Sequence, residues 1–318
     1  MSRVLITMPV AAAGLRRLED AGHELDLVER PAPAEFRARL ARADAVILRF
    51  QALSRQDIEA AGKLRFVARH GVGYDAVDVA ALTERGIPLA ITPGANAIGV
   101  AEHALALLLA VARRVIGHDA GVRAGQWQAA LRGPMFELAG KTALIVGAGR
   151  IGRATAQRLR AFDMRVLAYD PFLPADAALP QGIEIRTDLA AALAEADVVS
   201  LHLPLTDATR GLIDPLALKR GAIVVNTARG GLLDPARLLA ALESGHLTGA
   251  GLDVFDPEPP GAADALLRRP EVVLSPHAAS LTDASIERMA TECATNIIDF
   301  FEGRPPRDSI VNLAGIAL

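Results

Sequence analysis

Several polar side chains that could act in acid–base chemistry or bind an anion directly follow short apolar runs in the second half of this 318-residue chain. They belong to Asp170, His202, the segment Asn226 to Arg229, Asp253 and His277. Ligands of an open parallel sheet bind beyond the carboxyl ends of its strands. If the apolar runs are parallel strands, we therefore expect these side chains to converge on one site.

Three residues have the chemistry of a catalytic set. Histidine ionises near neutral pH, so His277 suits general acid–base catalysis. Arg229 has a forked guanidinium that could hold a carboxylate and polarise a neighbouring carbonyl group. Glu258, in the segment DPEPP, could orient the His277 imidazole and stabilise its protonated form. Such a set would suit hydride transfer to a keto acid, although a structural histidine, an ion-pair arginine and a loop acid are also compatible with the residue types.

Three glycines mark a nucleotide-binding turn. Gly147, Gly149 and Gly152 form G-x-G-x-x-G within TALIVGAGRIG (142–152), between an apolar run and a helical pattern. The first glycine allows a tight turn, the second lets the backbone approach a pyrophosphate, and the third permits close packing of helix on strand. Asp170 follows eighteen residues after Gly152. A carboxylate there would bind ribose hydroxyls and repel a 2′-phosphate, which predicts NAD rather than NADP.

The elements that must position these residues alternate between strands and helices. The apolar runs are VLIT (4–7), AVIL (45–48), FVA (66–68), PLAI (88–91), ALIV (143–146), RVLAY (165–169), VVSLHL (198–203), AIVVN (222–226), GAGLDV (249–254) and VVLS (272–275). Segments of helical period, such as AEFRARLARA, separate them. This pattern predicts an α/β protein with two doubly wound parallel-sheet domains, Rossmann- and flavodoxin-like, separated by a cleft.

Two further helices are expected. The segment AIGVAEHALALLLAVARRVIGHDAGVRAG predicts one long helix from about Ala97. Because this helix is apolar all round, we expect it to be buried between domains or against a second subunit. The last helix is predicted at about 284–302.

The composition narrows the partners and the compartment. A net charge of −3 argues against nucleic acid or an anionic membrane as partner. The longest apolar stretch, 104–112, is about half of the roughly 20 residues that a bilayer span needs. Pro9 interrupts the N-terminal apolar run, so no secretory signal is expected.

The single cysteine, Cys293, cannot form an internal disulfide and lies in a helical pattern, which favours a core residue in a cytoplasmic protein. No metal site is expected.

Several long motifs resemble those of the D-isomer-specific 2-hydroxyacid dehydrogenases, a family that includes phosphoglycerate, glyoxylate/hydroxypyruvate and D-lactate enzymes. The motifs are RHGVGYDAVDVAAL, TPGANAIGVAEHALALLLA, ELAGKTALIVGAGRIG, NTARGGLLDPARLLAALESGHLTGAGLDVFDPEPP and LSPHAASLTDAS. They occur in the family's order, and the resemblance covers nearly the whole chain. The resemblance implies that Arg229 binds substrate, that Glu258 partners the histidine and that His277 is the general acid/base.

The resemblance also implies roles for residues that chemistry alone does not single out. The backbone at Val72 and Gly73 would receive the substrate carboxylate, because close approach to amides favours glycine. Asp253 would hold the nicotinamide carboxamide, and His202 would lie behind the cofactor. Further cofactor contacts would come from Arg150, Ile151, Leu203, Thr227 and Ala228.

A discontinuous domain organisation follows from the same resemblance. A substrate-binding domain of residues 1–98 plus 286–318 would be hinged on an NAD-binding domain of residues 99–285. The long helix from about Ala97 would then be an element of a homodimer.

The expected reaction is reversible hydride transfer between NADH and a small 2-keto acid, giving the D-2-hydroxy acid. Phosphoglycerate dehydrogenases often have an Arg-Ser-x-Thr-like segment where this chain has Arg49-Phe50-Gln51-Ala52-Leu53. The missing hydroxyls favour glyoxylate or hydroxypyruvate, with D-3-phosphoglycerate as the alternative. Glu258 argues against formate oxidation, since formate dehydrogenases have glutamine there. A non-catalytic, corepressor-like NADH sensor is an alternative of another class, because such proteins can keep the catalytic residues.

Overall fold

The computed structural model describes residues 1–130, 135–174 and 179–317. The chain divides into two compact units, one formed by Met1–Asn96 with Leu281–Leu318 and the other by Ala97–Ser280. The first unit is therefore discontinuous in sequence.

The first unit contains a five-stranded parallel sheet in the order β2-β1-β3-β4-β5. This is the flavodoxin-like order. Its strands are β1 (Arg3–Ile6), β2 (Glu24–Leu27), β3 (Ala45–Leu48), β4 (Phe66–Arg69) and β5 (Leu89–Ala90), and its helices are α1 (Ala12–Asp20), α2 (Pro33–Leu40), α3 (Arg55–Ala60), α4 (Val79–Glu84) and the chain's last helix, α11 (Asp283–Phe301).

The last helix belongs to the core of this first unit. Cys293 and Ile297 of α11 are fully buried in one cluster with Val4 and Ile6 of β1. Burial raises the pKa of the Cys293 thiol well above its usual range, which disfavours the nucleophilic thiolate. The residue acts as a small apolar core side chain, in agreement with the helical pattern.

The second unit contains a seven-stranded parallel sheet in the order β12-β11-β10-β9-β6-β7-β8. This is the Rossmann strand order. The direction in which successive strands are added reverses between β6 and β9, and ligands of such sheets bind at that point. The strands are β6 (Thr142–Val146), β7 (Arg165–Tyr169), β8 (Ile183–Ile185), β9 (Val198–Leu201), β10 (Ile223–Asn226), β11 (Gly249–Leu252) and β12 (Val272–Leu274), and the helices are α5 (Ala97–Ala112), α6 (Val115–Arg123), α7 (Trp127–Ala130), α8 (Arg150–Arg160), α9 (Leu189–Glu195) and α10 (Pro235–Glu243).

The predicted α/β class and the central strands are confirmed, but two strands were missed. β2 and β8 are edge strands, and their sequences, ELDL and IEI, alternate apolar and polar residues. Among the residues of these two strands only Asp26 is buried, so the strands lack the continuous apolar run that identified the others. The run 198–203 forms a strand only as far as Leu201.

The prediction of one long helix from Ala97 is wrong. The backbone of Arg114 is left-handed, with φ of 53°, and it separates α5 from α6. Most residues of α5 are buried within the second unit, where Gly249 and Gly251 of β11 leave room for Val111 and Leu107. The helix is apolar because it lies on its own sheet, whereas α6 has no buried residue among those described. No helix in the described ranges is long and apolar enough to cross a membrane.

Candidate active site

The turn between β6 and α8 has the geometry that a pyrophosphate needs. Gly147 has φ of 100°, and a Cβ there would lie 2.7 Å from the backbone carbon of His202. A Cβ on Gly152 would lie 1.9 Å from the Gly147 carbonyl oxygen, so only glycine allows the helix to begin this close to the strand. By contrast, no atom lies within 4 Å of a Cβ built on Gly149, the N-cap of α8. This open space in front of a helix N-terminus fits a dinucleotide phosphate.

Asp170 follows β7 directly, and its side chain accepts hydrogen bonds from both the glycine turn and the turn that follows Asp170 itself. Its Oδ2 accepts a hydrogen bond from the Ala148 amide at 2.9 Å, and its Oδ1 accepts one from the Phe172 amide at 2.9 Å. Each carboxylate oxygen can accept a second hydrogen bond, and the side chain is only half-buried. The residue therefore shapes the glycine turn while keeping acceptor capacity for ribose hydroxyls.

The turn after β10 is held by a side chain whose role the sequence did not indicate. Asn226 accepts a hydrogen bond from the Ala228 amide at 3.0 Å and donates one to the Arg229 carbonyl at 2.8 Å. Between them, the Thr227 hydroxyl is buried without a hydrogen-bond partner in the described structure. A buried polar group of this kind requires a partner, and a bound cofactor can supply it.

The remaining expected cofactor contacts lie at the ends of β6 and β9. Arg150 and Ile151 form the first turn of α8, exposed and half-buried respectively, and Leu203 is buried just after β9. His202 contacts the Ser200 hydroxyl through Nε2 at 2.9 Å. Burial lowers the pKa of His202 to about 3, so this imidazole is neutral and is not a proton donor at neutral pH.

A histidine–carboxylate pair lies in the loops after β11 and β12. His277 Nδ1 is 2.8 Å from Glu258 Oε2, and Glu258 Oε1 accepts the Phe255 amide at 2.9 Å. Burial raises the pKa of Glu258, but hydrogen bonds from His277 and Phe255 and the charge of Arg229 outweigh it, so the pKa lies below its usual value. An ionised Glu258 assigns the proton on Nδ1 and leaves Nε2 as the atom able to exchange a proton with a ligand.

The half-buried Arg229 completes this group within the second unit. Its Nη1 donates to the Ala228 carbonyl at 2.6 Å, and its charge contributes to the lowered pKa of Glu258. The structure thus brings Arg229, Glu258 and His277 into electrostatic or hydrogen-bonded contact, although they are far apart in sequence.

Asp253 has a different environment from the expected one. Its side chain has no exposed surface. Its carboxylate accepts hydrogen bonds from Ser275 Oγ at 2.6 Å, from the Ala278 amide at 2.8 Å and from the Ala279 amide at 2.9 Å. These donors flank His277, so Asp253 fixes the histidine loop. Direct contact with a nicotinamide carboxamide stays a prediction, since no oxygen of Asp253 is exposed here.

In the first unit, the loop after β4 carries two amides suited to an anion. In the described structure, the amides of Val72 and Gly73 donate no hydrogen bond. Arg69 supports this loop by donating to the Gly73 carbonyl at 2.7 Å, and Thr92 Oγ1 accepts the Gly71 amide at 3.0 Å. Arg69 and Thr92 were not expected from the sequence, because they act through backbone contacts that the fold creates.

Comparison with known proteins places the chain in a family. Residues 105–279 match the family model described as D-isomer specific 2-hydroxyacid dehydrogenase, NAD binding domain. The chain is 42% identical to the glyoxylate reductase of Korarchaeum cryptofilum over 314 residues, covering 96% of this chain and 94% of that protein. It is 36% identical to the D-3-phosphoglycerate dehydrogenase of Archaeoglobus fulgidus over 318 residues, covering 99% of this chain but only 60% of that protein.

A solved structure agrees over the same length. The crystal structure of the TT0316 protein from Thermus thermophilus is 39% identical, with a TM-score of 0.88, and the match covers 97% of this chain and 99% of that one.

The fold and the site define a dinucleotide-dependent oxidoreductase. The chain belongs to the D-isomer-specific 2-hydroxyacid dehydrogenase family. It is an NAD-dependent enzyme that acts on small 2-keto or 2-hydroxy acids, which confirms the predicted class and cofactor. Because its named relatives are reductases and dehydrogenases, the alternative of a non-catalytic NADH sensor is not favoured.

Proposed function

We propose that the protein uses NADH to reduce glyoxylate or hydroxypyruvate, giving the corresponding 2-hydroxy acid, of D configuration where the product is chiral. The contact that carries this proposal is the 2.8 Å pair between His277 and Glu258, next to the charge of Arg229. This arrangement can donate a proton to a carbonyl oxygen and stabilise the charge that develops on it. The bound cofactor would supply the hydride.

Each residue has a defined part in this reaction. His277, protonated on both ring nitrogens, would give its Nε2 proton to the substrate oxygen and become neutral, while the ionised Glu258 holds the Nδ1 proton and so favours the charged imidazolium that donates. Arg229 would hold the developing negative charge, an interaction that strengthens towards the transition state.

We propose that the amides of Val72 and Gly73 bind the substrate carboxylate and that the first unit is the substrate-binding domain. The second unit would bind NAD through Gly147, Gly149, Gly152 and Asp170, with Arg150, Ile151, Leu203, Thr227 and Ala228 lining the cofactor.

A small substrate is supported by the residues after β3. The Arg49 guanidinium lies 5.5 Å from the centre of the Phe50 ring and donates to the Pro9 carbonyl at 2.9 Å. Arg49 is therefore engaged by its own unit, and no hydroxyl-bearing side chain stands at positions 50–53 to assist phosphate binding. The 42% identity to a glyoxylate reductase along nearly its full length supports the same choice.

D-3-phosphoglycerate dehydrogenase is the second candidate, favoured by 36% identity over 99% of this chain. The chain spans only about 60% of the archaeal phosphoglycerate dehydrogenases that it matches. A steady-state assay of NADH oxidation with glyoxylate, hydroxypyruvate, pyruvate and 3-phosphohydroxypyruvate tests both. We expect the highest kcat/KM with glyoxylate or hydroxypyruvate. A higher value with 3-phosphohydroxypyruvate would establish the second candidate, and tight NADH binding without turnover on any acid would contradict both.

The cofactor preference gives a prediction at Asp170. Asp170→Asn removes the charge at nearly constant volume, so repulsion of a 2′-phosphate disappears and hydrogen bonding to the ribose weakens. We expect the ratio of kcat/KM for NADPH to that for NADH to rise at least about tenfold, which corresponds to about 1.4 kcal/mol. Glu137→Gln, which removes an exposed carboxylate of the same unit, is the matched control. An unchanged ratio in Asp170→Asn would show that Asp170 does not discriminate between NADH and NADPH.

We also propose that the protein is a homodimer. Several large apolar side chains in α6, in α7 and just beyond α7 are at least half exposed. They belong to Val115, Ile116, Val122, Trp127 and Met135. Such a surface commonly marks a subunit interface. Ile116→Glu should therefore shift the mass measured by light scattering from dimer to monomer, whereas Phe162→Glu, at an exposed apolar residue outside this surface, should not. A monomeric wild-type protein would contradict the proposal.

The remaining partners and the compartment are also proposals. The net charge of −3 supports our proposal that neither nucleic acid nor membrane is a partner. The unpaired, buried Cys293 supports a reducing compartment, and we propose the cytoplasm.

A further inference from the structure

A second histidine reaches the loop that carries His277. His103 lies on α5, and its Nε2 is 2.8 Å from Ser275 Oγ and 3.4 Å from Asp253 Oδ1. Ser275 Oγ in turn lies 2.6 Å from Asp253 Oδ1. Neither the motifs nor the expected chemistry singled out His103, because its partners are more than a hundred residues away in sequence.

The acceptors assign the direction of these hydrogen bonds. Asp253 Oδ1 can only accept when ionised, so Ser275 donates its proton to Asp253. The Ser275 oxygen is then free to accept, and His103 must donate through Nε2. Burial raises the pKa of Asp253, but hydrogen bonds from His103, Ser275, Ala278 and Ala279 outweigh it, so the carboxyl group stays ionised. The result is a series of hydrogen bonds in which His103 on α5 donates to the Ser275 hydroxyl and Ser275 donates to the buried carboxylate of Asp253.

This series of hydrogen bonds ends on the backbone of His277 and of the two residues that follow it. Asp253 accepts the amides of Ala278 and Ala279 through its carboxylate and the amide of His277 through its carbonyl, the last at 2.7 Å. The backbone of His277 is left-handed, with φ of 53°, a conformation that non-glycine residues rarely adopt without support. The direction of the imidazole therefore depends on this set of hydrogen bonds.

We propose that His103 is a positioning residue for the reaction, acting through Ser275 and Asp253 to hold the His277 imidazole in its productive orientation. The proposal rests on the proposed role of His277 as general acid/base. A catalytic group displaced by about 1 Å can lose roughly 10²-fold in rate. Loosening the support of one loop should therefore lower the rate of the chemical step without removing any group that contacts the cofactor or substrate.

The test compares four variants by kcat, by Kd for NADH and by thermal unfolding. His103→Ala should lower kcat about tenfold and leave the Kd for NADH and the KM for the keto acid within about twofold. His103→Gln keeps an N–H donor near the position of Nε2 and should recover most of the lost activity. Ser275→Ala should resemble His103→Ala, and the double variant should be no worse than the more damaged single one, because both interrupt the same chain.

Glu102→Ala provides the matched control on the same helix. Glu102 is exposed and pairs with Arg158 at 3.2 Å, away from Ser275, so its removal should leave kcat unchanged. A purely structural role for His103 would lower the unfolding temperature and leave kcat of the folded enzyme at the wild-type value, which would overturn the proposal. Failure of His103→Gln to exceed His103→Ala, or additive losses in the double variant, would overturn it as well.

The outcome also separates this inference from the function on which it rests. If His277→Ala loses turnover while His103→Ala keeps it, only the role of His103 fails. If His277→Ala keeps turnover, the assignment of the acid/base itself fails, whatever the result at His103.

Discussion

Replacing His277 by alanine should lower kcat by roughly 10²- to 10⁴-fold while the Kd for NADH remains nearly unchanged. The imidazole is the group held by Glu258 at 2.8 Å, and its Nε2 is available to exchange a proton with a ligand. Without it, the oxygen of the keto acid would have to take its proton from water as the hydride arrives. Steady-state assays with the preferred keto acid, together with fluorescence titration of NADH, measure the two quantities separately.

His246→Ala is the matched control for the loss of an imidazole. His246 contacts the Leu218 carbonyl at 2.8 Å and has no place in the proposed mechanism. We expect it to affect stability more than kcat. Turnover near the wild-type level in His277→Ala would show that another group supplies the proton, and His202 is a poor candidate because its pKa is lowered to about 3.

The second large effect is expected at Arg229, where alanine should lower kcat/KM by roughly 10²- to 10³-fold, as for the loss of a donor to a developing oxyanion. Part of the loss should appear in KM, because the role proposed for the guanidinium includes contact with the bound substrate, and part in kcat, because the charge on the oxygen grows towards the transition state. Arg229→Lys should recover little, since an ammonium group cannot reproduce the planar fork. Both parameters come from the same steady-state measurements.

Arg237→Ala tests whether loss of any arginine has this effect. Arg237 lies in the same unit and forms a half-exposed ion pair with Asp214. Its removal should leave kcat/KM within about twofold, because surface ion pairs contribute little. Equal losses in the two variants would point to a general effect of charge, and an unchanged kcat/KM in Arg229→Ala would remove Arg229 from the mechanism.

The parts of the site that could be predicted are those that topology alone brings together. Arg229 and His277 each follow an apolar run, and parallel strands end at one edge of a sheet, so their approach to Glu258 in the second unit needed little side-chain detail. The glycine turn could be predicted for a similar reason, because its three positions are constrained by the backbone within a few residues.

The parts that could not be predicted depend on contacts between distant segments. The carboxylate of Asp253 can be buried because donors at positions 275, 278 and 279 form hydrogen bonds to it. The contact of His103 with Ser275 joins residues that are 172 positions apart. The break between α5 and α6 at Arg114 likewise has no signal in a sequence that suits a helix throughout. The edge strands β2 and β8 were missed because all but one of their seven residues are exposed or only partly buried.

The chain order of the two units bears on how such enzymes can diversify. Ala97–Ser280 is one unbroken length of chain that interrupts the other unit. Two exchanges of genetic material, one near each end of this insert, would transmit the glycine turn, Asp170, Arg229, Glu258 and His277 together as a cassette. The segments that carry Phe50, Val72 and Gly73 would be left behind. With the roles proposed for the two units, reduction chemistry and choice of acid would then be inherited separately, and a lineage could acquire a new substrate without rebuilding its hydride-transfer machinery.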